Sequence, residues 1–159
     1  MCNYIVNMSD DPASSSPSPF DAMLCFDVYA ANLAFGRVYK PLLDPLGLTY
    51  PQFLVMLSLW MADGQSVGRI GETLGLDSST LTPLIKRLEG ASLVTRLRDI
   101  RDERRVLVSL TPQGAALKSE ADRVLTCVTR NTGLESETAR QLREQLRQLR
   151  RALQQPLEG

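Results

Sequence analysis

The feature that most constrains the fold is a change in the spacing of apolar residues near residue 94. The runs Val94–Arg98 and Val106–Leu110 fit a period of two, whereas the segments on either side repeat apolar residues at steps of three and four. The first spacing is typical of strands and the second of amphipathic helices. A short, highly charged segment (residues 99–105) separates the two runs. The pattern therefore predicts a β-hairpin with a polar tip, inserted into an otherwise helical chain.

The segment before residue 45 predicts one long helix. It begins near Pro19, a residue suited to a first helical turn, with Ser18 as its N-cap. Pro41 and Pro45 are expected to end it. Its apolar side chains recur at steps of four and three, which predicts one helical stripe: Leu24, Val28, Ala31, Phe35 and Val38.

Three further helical segments lead up to the hairpin. The first of them starts after Thr49, a plausible cap, and ends at Gly64. The next two cover about residues 66–74 and 78–90 and are joined by the tight turn Gly75-Leu76-Asp77. Two short helices joined by a turn with glycine form a helix-turn-helix pattern.

Beyond the hairpin, one helix is predicted from Thr111 to about Thr132, and a last helix follows Gly133. The last helix carries leucines at steps of four, three and four, a spacing that suits pairing between chains: Leu142, Leu146, Leu149 and Leu153. The expected fold is mainly α with a small β-hairpin wing, that is, a winged helix-turn-helix flanked by N- and C-terminal dimerisation helices.

The expected domain organisation is a disordered tail over residues 1–18 and one domain over residues 19–159. The winged helix-turn-helix would cover about residues 49–110, between dimerisation helices at about 19–40 and 112–155. The tail is predicted from its polar, proline-rich composition, and Met8 is an alternative start to Met1.

Composition excludes several kinds of chemistry. The 159 residues include no histidine and three cysteines, so Ser-His and Cys-His nucleophilic pairs and zinc sites with histidine or four cysteines cannot be built within the chain. We therefore expect no enzyme, no metal and no cofactor. No apolar run reaches the length of a membrane span and no secretory signal is recognised, so the expected location is the cytoplasm, without a membrane partner.

The net charge of zero arises by cancellation, with −4 over residues 1–66, +3 over 67–118 and +1 over 119–159. The positive segment coincides with the helix-turn-helix and the hairpin, which indicates double-stranded DNA as a partner. The candidate contacts on the fourth helix are Ser78, Ser79, Thr80, Thr82, Lys86 and Arg87, and those on the wing are Arg96, Arg98, Arg101, Arg104 and Arg105. Two alternatives stay open: the hydroxyls could be plain capping residues, and the hairpin could be a solvated tip with paired charges.

Two motifs resemble those of the MarR-family transcription regulators. Asp99-x-Arg101-Asp102-x-Arg104, followed by Val106-x-Val108-x-Leu110-Thr111-x-x-Gly114, is similar to the family's wing signature. The run Leu76–Leu84 is similar to its recognition helix, including Pro83, although a proline there removes a helical hydrogen bond. The resemblance covers about residues 20–155 and implies a homodimer that binds a pseudo-palindromic operator.

The N-terminal helix resembles one subgroup of that family, the organic hydroperoxide resistance regulators. The residues that carry this resemblance are Leu24-Cys25-Phe26-x-x-Tyr29, with Tyr39 and Tyr50 downstream. It implies a repressor that releases its operator when an organic hydroperoxide oxidises Cys25, whose thiolate the three tyrosines hold. Some members add a resolving cysteine in the C-terminal helices, and Cys127 is the candidate here.

Helix geometry limits how these residues can meet. Cys25 and Tyr29 are one turn apart, whereas Tyr39 lies about 21 Å further along a straight helix, so it could serve a Cys25 thiolate only from a partner subunit packed antiparallel. Alternative interpretations are a Cys25 that is a small buried hydrophobe, a MarR-type repressor released by a phenolic or other small-molecule ligand, and a thiol peroxidase or hydrolase.

Overall fold

The structure is a computed structural model that describes residues 18–100, 102 and 104–155. The expected N-terminal tail, except Ser18, lies outside the described residues, and so does Arg101, one of the wing candidates. The chain divides into two compact units, residues 1–35 and 36–159.

The first unit begins with a 3₁₀ turn rather than with the predicted α-helix. This turn, Pro19–Ala22, is capped as expected: the Phe20 N–H donates to Ser18 Oγ and the Ser18 N–H donates to Asp21 Oδ2 (2.9 Å). Met23 is extended and separates the turn from helix α1 (Leu24–Leu43). The prediction of one helix from Pro19 was therefore wrong, because a capped 3₁₀ turn carries the same start signals as an α-helix.

Helix α1 passes through Pro41, which was predicted to end it. Pro41 lacks the N–H that would bond to the Arg37 carbonyl, but it removes only that one bond near the end of the helix. Leu43, two residues later, is buried, and its packing keeps the last turn helical. The helix ends instead before the 3₁₀ turn Asp44–Leu46.

The remaining elements confirm the predicted winged helix-turn-helix. In chain order they are α2 (Tyr50–Met61), β1 (Gln65–Ser66), α3 (Val67–Leu74), α4 (Ser78–Gly90), β2 (Val94–Arg98), β3 (Val106–Leu110), α5 (Pro112–Ala116), α6 (Lys118–Asn131) and α7 (Ser136–Leu153). The start of α2 is also as predicted, since the Thr49 N–H and Oγ1 both donate to Gln52 Oε1 (2.8 and 2.9 Å).

The sheet contains a third strand that the sequence did not reveal. Its order is β1-β3-β2, antiparallel throughout, with Val94 opposite Leu110 and Gln65 opposite Val108. Strand β1 has only two residues, which is too short for a period of two to appear. Its position places the loop after α2 at the edge of the hairpin.

The single helix predicted for about residues 112–132 is two helices, α5 and α6, with a break at Leu117. Helix α5 is held against α2, because the Trp60 Nε1–H of α2 donates to the Gly114 carbonyl (2.9 Å). Helix α6 buries its own apolar face through Ala121, Val124 and Val128. The two helices therefore pack through different contacts, and the periodicity of apolar residues does not reveal the break between them.

Gly114 is required for a close approach. A Cβ at this position would overlap the carbonyl oxygen of Leu93, which is backbone and cannot move aside. The glycine of the wing signature therefore lets α5 pack directly on the chain that enters β2.

The core of the second unit lies between α2, α3, α4 and the sheet. Its fully buried side chains include Phe53, Met56 and Leu59 from α2, Ile70 from α3, Leu81, Ile85 and Leu88 from α4, and Val94 and Val108 from the two hairpin strands. Because α4 and the hairpin share this core, each fixes the position of the other.

Among the described residues, no individual helix has both the length and the apolar character to cross a bilayer, although the bent pair of α1 and α2 meets those criteria when taken together. In the same part of the chain, no group of three or more acidic or cysteine side chains is placed to hold a metal ion.

Candidate functional site

Helix α4 presents a polar face to solvent opposite its buried side chains. Leu81, Ile85 and Leu88 point into the core. The residues predicted to contact DNA are all exposed: Ser78, Ser79, Thr80, Thr82, Lys86 and Arg87. A helix that presents hydroxyl and basic side chains beginning at its N-terminus is suited to contact phosphates and base edges.

Several of these hydroxyls also stabilise the start of α4. Asp77 accepts hydrogen bonds from Ser79 Oγ (2.5 Å) and from the Thr80 N–H (2.8 Å), and these bonds lower the pKa of the Asp77 carboxyl. Thr82 Oγ1 donates to the Ser78 carbonyl (2.7 Å). These hydrogen bonds are compatible with DNA contact at Ser79 and Thr82, because a hydroxyl that donates to Asp77 or to the Ser78 carbonyl still has acceptor capacity.

Pro83 lies inside α4, which continues through it to Gly90. A proline at this position has no N–H for the Ser79 carbonyl, so that carbonyl lacks its usual helical donor. The proline ring is exposed.

The wing carries three of its predicted arginines on the surface: Arg98, Arg104 and Arg105. Its tip is folded by Asp102, whose carboxylate accepts from the Arg104 N–H (3.1 Å) and whose carbonyl accepts from the Arg105 N–H (2.9 Å). Ile100, also at the tip, is fully exposed. An exposed arginine-bearing tip is the form of a wing that enters a minor groove.

The fifth wing arginine, Arg96, is placed differently. Its Nε and Nη2 lie 2.8 and 2.6 Å from Oε2 of Glu89, at the end of α4, and both side chains are only about one-third exposed. The arginine lowers the pKa of the Glu89 carboxyl, mainly through this hydrogen bond. Sequence reasoning missed Glu89 because no spacing rule relates a helix end to the strand that follows it.

The proposed sensor thiol is exposed within a single chain. Cys25 lies in the first turn of α1, with Tyr29 one turn further on and 58% exposed. Near them, the rings of Phe20 and Phe26 pack with centroids 4.9 Å apart. Within one chain, Cys25 is therefore not the small buried hydrophobe of the alternative interpretation.

Tyr39 and Tyr50 belong to the second unit, where the structure brings them together. Their ring centroids are 4.5 Å apart, and Tyr39 also packs against Phe53. Burial raises the pKa of both phenols, and the neighbouring Tyr50 raises that of Tyr39 further. A tyrosine hydroxyl is protonated at neutral pH, and these shifts hold both phenols still further from ionisation, so both can act as hydrogen-bond donors.

The candidate resolving residue, Cys127, is half-buried on α6. The Asn131 side-chain amide donates to the Cys127 carbonyl (2.9 Å) and lies 3.6 Å from its sulfur. Asn131 was missed by sequence reasoning, although its i+4 position on the same helix face was a usable signal.

A winged helix-turn-helix of this form matches a known family along more than half of the chain. The family model of the transcriptional regulator SarA/Rot matches residues 37–121, from the end of α1 to the start of α6. The chain belongs to the SarA/Rot/MarR type of winged-helix transcription regulators. It is thus a DNA-binding transcriptional regulator, in a family that is not an enzyme family.

Two curated relatives of this MarR-type regulator are similar over much of its length. The HTH-type transcriptional regulator TtmR of Methylorubrum extorquens (strain PA1) is 48% identical over 141 residues, which cover 89% of this chain and 70% of TtmR. The organic hydroperoxide resistance transcriptional regulator of Bacillus subtilis (strain 168) is 52% identical over 98 residues, which cover 62% of this chain and 67% of that protein.

Solved structures of the regulator AbfR are also similar. Reduced AbfR bound to DNA is 34% identical with a TM-score of 0.69, and the alignment covers 82% of this chain and 90% of that one. Overoxidized AbfR bound to DNA has the same identity and TM-score, and a disulfide-formed AbfR has 32% identity and a TM-score of 0.62.

Proposed function

We propose that the chain is a homodimeric repressor that releases its DNA operator when an organic hydroperoxide oxidises Cys25. Each subunit would place α4 in a major groove and its wing in the adjoining minor groove. Two subunits related by a two-fold axis require a near-palindromic operator, with half-sites about one helical turn apart.

The DNA-binding part of the proposal is supported by the shared core of α4 and the hairpin. That core holds the exposed face of α4 and the exposed arginines of the wing in one fixed arrangement. A fixed arrangement of two elements is what allows both to meet neighbouring grooves without reordering.

The redox part is carried by one observation, the exposure of Cys25 in a protein whose relatives include a hydroperoxide resistance regulator. The Cys25 thiolate would attack one oxygen of the hydroperoxide, breaking the O–O bond. The sulfur is oxidised to sulfenic acid, and the hydroperoxide takes up one proton and leaves as the alcohol. In the cytoplasm the thiol is kept reduced before the signal arrives.

The tyrosines would support the thiolate as hydrogen-bond donors, because the chain has no histidine to act as a base. Tyr29 is one helical turn from Cys25 on the same helix. Tyr39 and Tyr50, which keep their phenol protons, would reach the thiolate from the partner subunit. A hydrogen bond to the charged form lowers the pKa of a thiol and raises its reactivity.

A second step would involve Cys127 of the partner subunit. Its thiol would displace water from the Cys25 sulfenic acid and form a disulfide between the subunits. The disulfide-formed and overoxidized AbfR structures support the idea that a relative of this chain occurs in several oxidation states.

The test is a gel shift with a duplex that the reduced wild-type protein selects from a random-sequence pool. Cumene hydroperoxide should release wild-type protein and leave Cys25→Ser bound. Cys127→Ser is the matched control: it should still respond to the peroxide but no longer form a covalent dimer on a non-reducing gel. Equal release of wild type and Cys25→Ser would contradict the sensor assignment, and release by salicylate but not by peroxide would favour a ligand-binding repressor.

A further inference from the structure

Glu89 and Arg96 link the recognition helix to the wing. Among the described residues, every other ion pair joins two side chains of one helix or of a helix and the turn that follows it, whereas this pair connects α4 with strand β2. Two of the three guanidinium nitrogens of Arg96, Nη2 and Nε, lie 2.6 and 2.8 Å from the same carboxylate oxygen, Glu89 Oε2.

The pair is better shielded from solvent than the other ion pairs of the described residues. Its side chains are 31% and 36% exposed, whereas the other pairs keep 45% or more of each side chain in water. Less solvent screening strengthens the attraction, and it also makes the loss of one partner more costly.

Strand geometry directs Arg96 toward α4. Residues two apart on a strand share a face, so Arg96 lies on the same face of β2 as Val94, which is buried against the core. Its cross-strand neighbour on β3 is the buried Val108. Arg96 is therefore at the base of the wing, whereas Arg98, Arg104 and Arg105 lie toward its tip.

We propose that Arg96 is a positioning residue, paired with Glu89 to fix the angle between α4 and the wing so that both can enter their grooves together. This reassigns one residue that the sequence placed among the DNA contacts. The inference rests on the proposed binding mode, in which α4 and the wing contact DNA at the same time.

A phosphate contact and a positioning role for Arg96 predict different effects of Glu89→Gln on DNA affinity. If Arg96 contacted a phosphate, removing the Glu89 charge would leave DNA binding unchanged or tighter, since an acid near the backbone is repelled. If the pair positions the wing, the same variant should bind about tenfold more weakly, which corresponds to about 1.4 kcal/mol. Binding is measured to the duplex selected by the wild-type protein, at a temperature at which circular dichroism shows every variant folded.

A double-mutant cycle completes the test. Arg96→Gln should also lower DNA affinity about tenfold. The double variant Glu89→Gln/Arg96→Gln should lower it about tenfold rather than about a hundredfold, because each variant loses the same ion pair. The slope of log affinity against log salt should not change, whereas a lost phosphate contact would make it shallower by about 0.9. Glu72→Gln is the matched control, since it removes the same charge from an exposed pair with Arg69 (3.3 Å) and should not weaken binding.

The outcomes separate this inference from the proposed function. If the wild-type protein selects no duplex, the DNA-binding mode itself fails. If it does select one, and Glu89→Gln binds as tightly as the wild type or Arg96→Gln flattens the salt slope, the positioning role is overturned while the repressor model stands. If Glu89→Gln does not fold, Arg96→Lys is tested instead. The variant should keep its DNA affinity if Arg96 contacts a phosphate, and should lose affinity if both Arg96 nitrogens are needed to position the wing.

Discussion

Tyr39 and Tyr50 show how burial sets the chemistry of single residues in this protein. Tyr39 is 9% exposed and packs between Tyr50 and Phe53, so its phenolate would be poorly solvated. Tyr50 keeps 36% of its surface exposed, so burial disfavours ionisation more at Tyr39 than at Tyr50. In both, the folded chain favours the neutral phenol and so preserves a hydrogen-bond donor.

This preference predicts a loss of stability at alkaline pH. Because folding raises the two phenol pKa values, the folded chain binds more protons than the unfolded chain above pH about 10. The contribution is complete below that pH and is lost as the pH rises through the folded-state pKa. Urea unfolding followed across this range should show a falling free energy of unfolding, with a smaller fall in Tyr39→Phe.

If Tyr39→Phe loses as much stability with rising pH as the wild type does, the burial of Tyr39 does not cause the effect.

At the scale of the element, α4 keeps a proline in its interior. Pro83 leaves the Ser79 carbonyl without its helical donor, yet the helix runs from Ser78 to Gly90. Leu81, Ile85 and Leu88, on either side of Pro83, are buried, and this packing holds the helix together despite the missing bond. Stability is thus not what requires proline here.

We therefore expect Pro83→Ala to stabilise the protein. Alanine restores an N–H for the Ser79 carbonyl and has a much higher helix propensity than proline. Part of this gain is offset because the unfolded chain is more flexible without the proline. The free energy of unfolding should therefore rise by about 2 kcal/mol. Chemical denaturation measures this directly. Pro112→Ala is the control and should give no such gain in stability, because Pro112 occupies the first turn of α5, where an N–H has no helical acceptor. A neutral or destabilising effect of Pro83→Ala would contradict this prediction and would mean that the Pro83 ring makes favourable contacts.

The elements differ in how far the sequence could predict them. The hairpin was predictable to the residue because its charged tip separates two runs that both fit the strand period. Strand β1, the 3₁₀ turn at Pro19 and the break at Leu117 were not predictable. A two-residue strand carries no period, a capped 3₁₀ turn has the same start signals as an α-helix, and the break at Leu117 depends on how α5 and α6 pack.

The candidate site divides in the same way. Exposed hydroxyl and basic residues on α4 follow from helical periodicity once Leu81, Ile85 and Leu88 are assigned to the core. The Glu89–Arg96 pair does not follow, because it depends on the distance between two elements that only the folded core sets.

At the scale of the whole molecule, positive charge is concentrated in the segment that contains the helix-turn-helix and the wing. The net charge of zero combines −4 over residues 1–66, +3 over residues 67–118, which contain α3, α4 and the hairpin, and +1 over residues 119–159. A neutral protein can therefore present a positive surface to DNA, since the field near the DNA is set by the local charge within about 10 Å.

The last helix is left without a covering surface in a single chain. Within the described residues, α7 fully buries no side chain. Three of the four seam leucines are exposed, Leu142 at 43%, Leu146 at 44% and Leu153 at 76%, and the fourth, Leu149, is half-buried. An apolar seam with four-three-four spacing suits coverage by a partner helix, which the partner subunit of the proposed dimer would supply.

Leu146→Glu should consequently separate the subunits. A carboxylate in the middle of the seam cannot be buried without a counter-charge, so light scattering should give a mass near that of one chain, 17.6 kDa, where the wild type gives twice that value. Operator affinity should fall by at least about a hundredfold, because a monomer loses the effective concentration that links two half-sites. Gln148→Glu is the control, because it adds the same charge away from the seam and should stay dimeric. If Leu146→Glu also stays dimeric and binds the operator normally, the subunits must meet through other surfaces.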